Sequence, residues 1–242
     1  MMTDTKQEIV SRLQKNILQW EGYRPPPDGT RNLLGLGPVE AAFPNGSFPL
    51  GAVHELVCGN TEQATASGGF VTGLLSVLMQ NGGVCVWIGL SGNLFPSALK
   101  AFGVDPDKVI FIHLLKDKDV LWAMEESLKC AGLAAVIGEL REIDFKQSRR
   151  LQLAVEQSRV TGFILRNHSD KIGSTACVAR WKIKPLPSEQ ADGLPGLGFP
   201  RWQVELLRVR NGQPGKWIIE WAGNKFVLVN ETVVKQQELM VG

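Results

Sequence analysis

Between residues 53 and 165 the apolar positions fall into short, nearly continuous runs separated by stretches with a helical period. Val53 to Val57, Val84 to Leu90, Val109 to Leu115, Leu133 to Ile137 and Val160 to Leu165 are the runs. Each is too short for a buried helix and predicts a strand covered on both faces, as in a parallel sheet. The intervening stretches carry apolar residues three and four apart. Phe70, Val71, Leu74, Leu75, Leu78 and Met79 predict a helix over about 68 to 80, starting near Ser67 or Gly68 after a polar loop and closed by Asn81-Gly82-Gly83. A short helix is expected near Pro96 to Phe102. Leu121, Met124 and Leu128 predict a helix over Val120 to Ala131, and Phe145, Leu151, Leu153 and Val155 predict a polar one over 144 to 158. Strand alternating with helix argues for an α/β fold with a largely parallel central sheet.

The pattern changes after residue 170. Thr175 to Lys184 alternates as a strand, and Pro185 to Pro200 is a Pro- and Gly-rich loop. Trp202 to Val209 and Trp217 to Trp221 then flank Arg210-Asn211-Gly212-Gln213-Pro214-Gly215, a strong hairpin turn, and a last strand is expected over Lys225 to Val229. Strands without helices predict an antiparallel extension of the same sheet. At the other end Ile9, Leu13, Ile17 and Trp20 stand at steps of four, four and three, an amphipathic helix with a narrow apolar stripe. It ends at Gly22, before the stiff connector Pro25-Pro26-Pro27-Asp28-Gly29. Such a stripe packs on its own domain or docks on a partner. The expected organisation is an N-terminal helix over 1–22, a linker over 23–39, a core over 40–230 and a tail over 231–242.

Composition adds little. The chain has 242 residues with a net charge of +2, too small a bias to point to nucleic acid. Cys58, Cys85, Cys130 and Cys177 are far apart and form no Cys-x-x-Cys pair, so zinc and redox-motif chemistry lack support. No signal-peptide core and no membrane-length apolar run is visible, and a cytoplasmic setting is expected.

The strand over Val53 to Val57, followed by a polar loop and a helix, is where a P-loop ATPase holds its phosphates. A Walker A loop needs Gly-x-x-x-x-Gly-Lys-[Ser/Thr], because backbone N–H groups close on the phosphates while the lysine and the hydroxyl serve the outer phosphates and magnesium. Counted from Gly59, the last three positions are Ala64, Thr65 and Ala66.

The order of these pieces resembles the RecA-type ATPase superfamily and, within it, the ImuA family, through Gly51 to Leu56, Phe163 to Asn167, Arg201-Trp202, and Arg208 through Gly215-Lys216-Trp217 to Glu220-Trp221. The resemblance spans roughly residues 40 to 222 and implies a RecA-like core. Laid over the chain, it puts Thr65 at the Walker A lysine and Ser91 at the acidic residue that activates water. Glu139 falls at the Walker B aspartate, and Leu165 and Arg166 fall at the γ-phosphate sensors. A hydroxyl is a poor base at neutral pH, and phosphoryl transfer needs lysine, magnesium and a water-orienting group together. Gly59, Ala64, Thr65, Ala66 and Glu139 therefore read as a vestigial loop with no catalysis, no nucleotide, no cofactor and no metal, and Glu139 as a solvated strand end.

The resemblance further implies a non-catalytic accessory protein of damage-induced mutagenesis that scaffolds or recruits an ImuB-like polymerase subunit. Through that subunit it implies an error-prone C-family polymerase, together with contact to RecA and a nucleoid-associated location. Ile9, Leu13, Ile17 and Trp20 are the candidate partner-binding residues. The segment Asn167 to Ser174 is shorter than the recombinase loop that contacts single-stranded DNA, which leaves direct DNA binding open. Arg166, Lys171, Arg180 and Lys182 read as a small basic patch or a solvated face. His54 and His113 are expected to be structural. Two alternatives stand beside the accessory role: a nucleotide-gated switch using Gly68, Gly69 and the helix start as an anion site, and an inhibitor of cell division resembling SulA.

Overall fold

The computed structural model describes residues 34–80, 82–90, 95–167, 173–188 and 198–229. Ile9, Leu13, Ile17, Trp20 and Ser91 lie outside these residues. Among the described residues nine strands form one sheet: β1 Val53–Cys58, β2 Val84–Gly89, β3 Val109–His113, β4 Leu133–Leu140, β5 Thr161–Asn167, β6 Ala179–Leu186, β7 Arg201–Val209, β8 Gly215–Ala222 and β9 Lys225–Leu228. Their order across the sheet is β3-β2-β4-β5-β1-β6-β7-β8-β9. The helices are α1 Thr61–Leu78, α2 Asp117–Leu128 and α3 Phe145–Ser158, with short 3-10 turns at Gly37–Ala42, Pro44–Gly46, Pro96–Phe102 and Pro106–Lys108.

The fold is α/β with a mostly parallel sheet and antiparallel strands at its C-terminal end, as the alternation of runs predicts. The antiparallel part begins one strand later than expected, because β6 pairs with β1 in parallel and only β7, β8 and β9 alternate in direction. β6 also starts at Ala179 and not at Thr175, since residues 175–177 leave the strand path to bond side chains of β1, α3 and β7.

Two cores lie on opposite faces of the sheet. One is built from α1, the 3-10 turns at Gly37–Ala42 and Pro96–Phe102 and the tryptophans of the C-terminal strands, with Phe70, Leu74, Trp181, Trp202 and Trp221 all buried. The other is built from α2 and α3, through Val120, Met124, Leu128, Leu151 and Val155 against Val53, Val136 and Ile164. Strand β1 contributes to both because it is buried along its whole length. α1 lies close on the aromatic layer: a Cβ added at Gly73 would come within 2.7 Å of Phe226 Cζ and 3.1 Å of Trp221 Cζ3. The first core also takes in Leu34, Leu36 and Val39. The segment read as linker up to residue 39 thus contains core residues, which its glycines and prolines concealed.

Beyond β1 the described residues cover the sheet on one side only. Trp202, Val204 and Leu206 point into the first core, while Arg201, Gln203 and Glu205 alternate with them. On that outer face Lys184 pairs with Glu205 at 3.2 Å and Arg201 with Glu220 at 2.8 Å. One apolar and one polar face is the usual pattern of an antiparallel sheet.

Candidate functional site

In open α/β sheets ligands bind beyond the carboxyl ends of the parallel strands. Here that region begins at Cys58, and a helix follows almost at once. α1 starts at Thr61, six residues before Ser67, where the sequence reading begins it. Only Gly59 and Asn60 separate strand from helix. The early start has a local cause. Asn60 caps the helix by accepting the Gln63 N–H at 2.9 Å, and the Gln63 side chain accepts the Gly59 N–H at 3.1 Å. These bonds satisfy donors that a helix start otherwise leaves open.

The residues expected in a phosphate loop therefore sit inside a helix. Ala64 N–H donates to Asn60 O at 3.0 Å, and the Thr65 hydroxyl, although exposed, donates back to Thr61 O at 3.0 Å. Ala66 is buried in the first core. Gly68 and Gly69 lie in the helix interior, where N–H groups are spent on the helix itself. A Cβ on Gly69 would meet Phe102 at 3.1 Å. The anion site expected at these two glycines is thus not formed, because the helix begins two turns earlier.

Glu139 corrects a second expectation. It is buried, not solvated: Trp87 Nε1 donates to its Oε1 at 2.9 Å, and Gly89 leaves room for the carboxylate, a Cβ there lying 3.5 Å from Glu139 Cδ. Its charge is felt at Cys58. That thiol is pushed above its ordinary pKa by burial first, with the nearby Glu139 carboxylate adding to it, while its contact with Ser67 Oγ at 3.3 Å pulls the other way. The strand end thus holds a protonated thiol, a buried hydroxyl and a tryptophan-bound carboxylate.

His54 is structural, as expected. Its Nε2 lies 2.8 Å from Pro49 O and its Nδ1 3.4 Å from Trp181 Nε1, and its ring stacks on Phe48 at 4.5 Å. With Nε2–H donating to the carbonyl, Nδ1 is left to accept from the indole. This arrangement suits the neutral ring, and burial lowers its pKa to about 4. His113 is exposed on β3, the edge strand.

The opposite face of β1 holds the strongest polar cluster among the described residues. Glu55, fully buried, accepts Arg166 NH1 on Oε1 at 2.7 Å, and Arg180 Nε and the Thr175 hydroxyl on Oε2 at 2.8 Å each. Register brings these groups together: β1 lies between β5 and β6, with Glu55 directly opposite Arg180. Arg166 and Arg180, read as part of a solvated basic patch, are both buried and ion-paired. Leu165 faces the other core. The β6–β7 register then slips between Arg180 and Trp181, leaving Leu207 as the extra residue. Such a bulge re-aims side chains. It places Arg208 beside the cluster, where NH2 donates to Thr175 O at 2.8 Å and Cys177 O at 2.9 Å. The signal for Glu55 was in the sequence, a carboxylate inside the apolar run Val53-His54-Glu55-Leu56-Val57. The partners on β6 and β7 required the register, and with it the bulge.

Comparison with known proteins places this architecture. The chain is 34% identical over 194 residues to Protein ImuA of Caulobacter vibrioides, covering 75% of this chain and 80% of that protein. The chain belongs to the ImuA family. A shorter similarity, 30% identity over 105 residues, joins this ImuA-family chain to the cell division inhibitor SulA of Yersinia pestis, covering 43% of the chain and 62% of SulA. Among solved structures, a KaiC-like protein of Pyrococcus horikoshii superposes with a TM-score of 0.52 at 14% identity, covering 78% of this chain and 97% of that one. This likeness shows the RecA-like fold of the ImuA-family chain. No family model matches it. No helix among the described residues is long and apolar enough to cross a membrane.

Proposed function

We propose that this ImuA-family chain is a non-catalytic RecA-like accessory protein of DNA-damage-induced mutagenesis, acting in DNA repair by translesion synthesis beside an ImuB-like polymerase subunit. The observation that carries the reading is the 34% identity to Protein ImuA across three quarters of the chain. The geometry at the end of β1 supports the absence of catalysis. A degenerate Walker A frame with Thr65 in the lysine place is wound into α1, so it offers phosphates neither a lysine nor an open glycine-rich loop. One buried carboxylate, Glu139, is not enough for phosphoryl transfer.

In this reading the RecA-like core scaffolds the assembly in the cytoplasm at the nucleoid. It recruits the ImuB-like subunit, brings in the error-prone C-family polymerase indirectly, and contacts RecA. Ile9, Leu13, Ile17 and Trp20 form the docking stripe, since a helix laid in a groove is held by residues at this spacing. The SulA similarity favours a second reading, an inhibitor of cell division, but it spans less than half of the chain.

The test is affinity capture of the tagged protein from its own cells after DNA damage, with the retained proteins identified. The expected result is an ImuB-like subunit, lost when Ile17→Asp and Trp20→Ala are combined. Recovery of the division protein FtsZ alone would overturn the mutagenesis assignment in favour of the SulA-like one. Unchanged recovery by the double variant would remove the helix from the interface.

A further inference from the structure

A cleft of about 350 Å³ opens beside the Glu55 cluster, between the start of α3, residues 175–177 and the end of β7. Its charged groups are Arg149, Arg208 and Arg210, and its apolar wall includes Phe145. Phe145 and Arg149 stand one helical turn apart on α3, and the Phe145 ring is 53% exposed although it is large and apolar. The floor is held rigidly: Arg208 and Arg210 donate to the carbonyls of residues 175–177, and Ala176 N–H donates to Ser148 Oγ at 2.9 Å. Cys177, in the same wall, is kept a neutral thiol by burial, which pushes its pKa up to about 12.

The charge balance of the cleft is one-sided. Glu55 is already answered by Arg166 and Arg180. Among the described residues Arg208 and Arg210 meet only neutral carbonyl and hydroxyl oxygens, and Arg149 pairs with a carboxylate, Glu156, at 3.6 Å. Three guanidinium groups around a cavity, two of them with no carboxylate partner among the described residues and the third shared with one at 3.6 Å, make a site for an anion, since arginine forks suit phosphate oxygens. An exposed aromatic ring beside them adds a stacking surface, which is how proteins hold a base next to its phosphate. The volume lies in the range of small-ligand sites.

We propose that this cleft binds a nucleoside phosphate unit, the phosphate on Arg149, Arg208 and Arg210 and the base against Phe145, at a place separate from the end of β1. The unit comes from a free nucleotide or from one position of a single strand. The full chain would be titrated at low salt with inorganic phosphate, with thymidine monophosphate and with a short labelled oligothymidylate. Binding of the oligonucleotide is expected to weaken with salt, and roughly tenfold on Phe145→Ala or Arg149→Gln. Phe145→Ala should leave the affinity for inorganic phosphate unchanged. Arg150→Gln is the charge-matched control, because Arg150 neighbours Arg149 but pairs with Glu125 and does not line the cleft. Competition by the monophosphate would assign the source to free nucleotide, and its failure to a strand. All of these variants change exposed side chains, and far-ultraviolet circular dichroism would verify that they fold. No binding of any of the three ligands at low salt, or an equal loss with Arg150→Gln, would overturn the proposal. So would binding of an acidic peptide in place of all three.

Discussion

The two faces of β1 differ in how they bury polar groups. Towards α1, His54 and Cys58 are neutral, the ring held between a carbonyl and an indole and the thiol beside a serine hydroxyl. Towards α3, Glu55 is ionic, with two guanidinium groups and a threonine hydroxyl on one carboxylate. A neutral group needs one or two hydrogen bonds to be buried at low cost, whereas a charge needs a counter-charge with good geometry. On the first face β1 itself therefore buries only neutral polar groups. The second keeps arginines in excess of carboxylates and opens into a cleft. Adjacent residues of one strand thus lead to a neutral polar face and to a charged one, because alternation sends them to opposite sides.

The largest effect should come from the ionic face. Glu55→Gln would leave Arg166 and Arg180 buried beside a neutral amide, and breaking a buried ion pair from one side costs about 3–5 kcal/mol. Urea unfolding would show it as a lower midpoint at unchanged slope. Cys58→Ala on the other face should cost no more than about 2 kcal/mol, a small cavity and a weak contact. Equal losses for the two variants would erase the distinction between the faces.

Acid should act through the neutral face. The His54 pKa is lowered to about 4 in the folded protein against 6.5 in the unfolded chain. Folding therefore excludes the proton, so the contribution of the neutral ring is fully present above about pH 6.5 and is lost as the pH falls towards 4. At 1.36 kcal/mol per unit the loss amounts to about 3 kcal/mol. Stability measured across this window should fall with acid, and His54→Leu should flatten the slope. An unchanged slope in that variant would assign the acid sensitivity to carboxylates instead.

Much of this architecture is legible in the chain, and the exceptions share a physical cause. Strands covered on both faces show as apolar runs, but so does β3, which lies at the sheet edge with Ile110 and Phe111 exposed, and the hairpin shows as Asn211-Gly212, with Asn211 at a φ of 56°. The start of α1 does not show, because Thr61 to Ala66 are polar or small and carry no apolar period. What decides the helix there is the cap at Asn60, a local hydrogen bond. The ionic cluster does not show either, because Glu55, Arg166, Arg180 and Arg208 lie on four strands and meet only through register. Glu139 misleads for a related reason: a carboxylate at a strand end is usually solvated, and its indole partner lies 52 residues away. The cap can be tested directly. Asn60→Ala should cost about 1 kcal/mol and fray the first turn of α1, read as faster amide exchange in residues 61–65.

The smallest expected effect is the most informative about the strand end. If the side chain at position 65 alone separated this site from a working phosphate loop, Thr65→Lys would restore affinity for a nucleoside triphosphate with magnesium. The geometry argues otherwise. Position 65 lies in the second turn of a helix that starts at Thr61, and the N–H groups from Ala64 onward are bonded within that helix, not held in an open loop. A lysine there would extend from an exposed position into solvent, adding one positive charge near Glu62 and no cradle. Calorimetric titration of Thr65→Lys with magnesium and ATP should therefore give the same heats as the parent chain. The combination Asn60→Ala with Thr65→Lys separates the cause: binding that appears only in the double variant would show that the cap and the missing lysine together keep phosphates out.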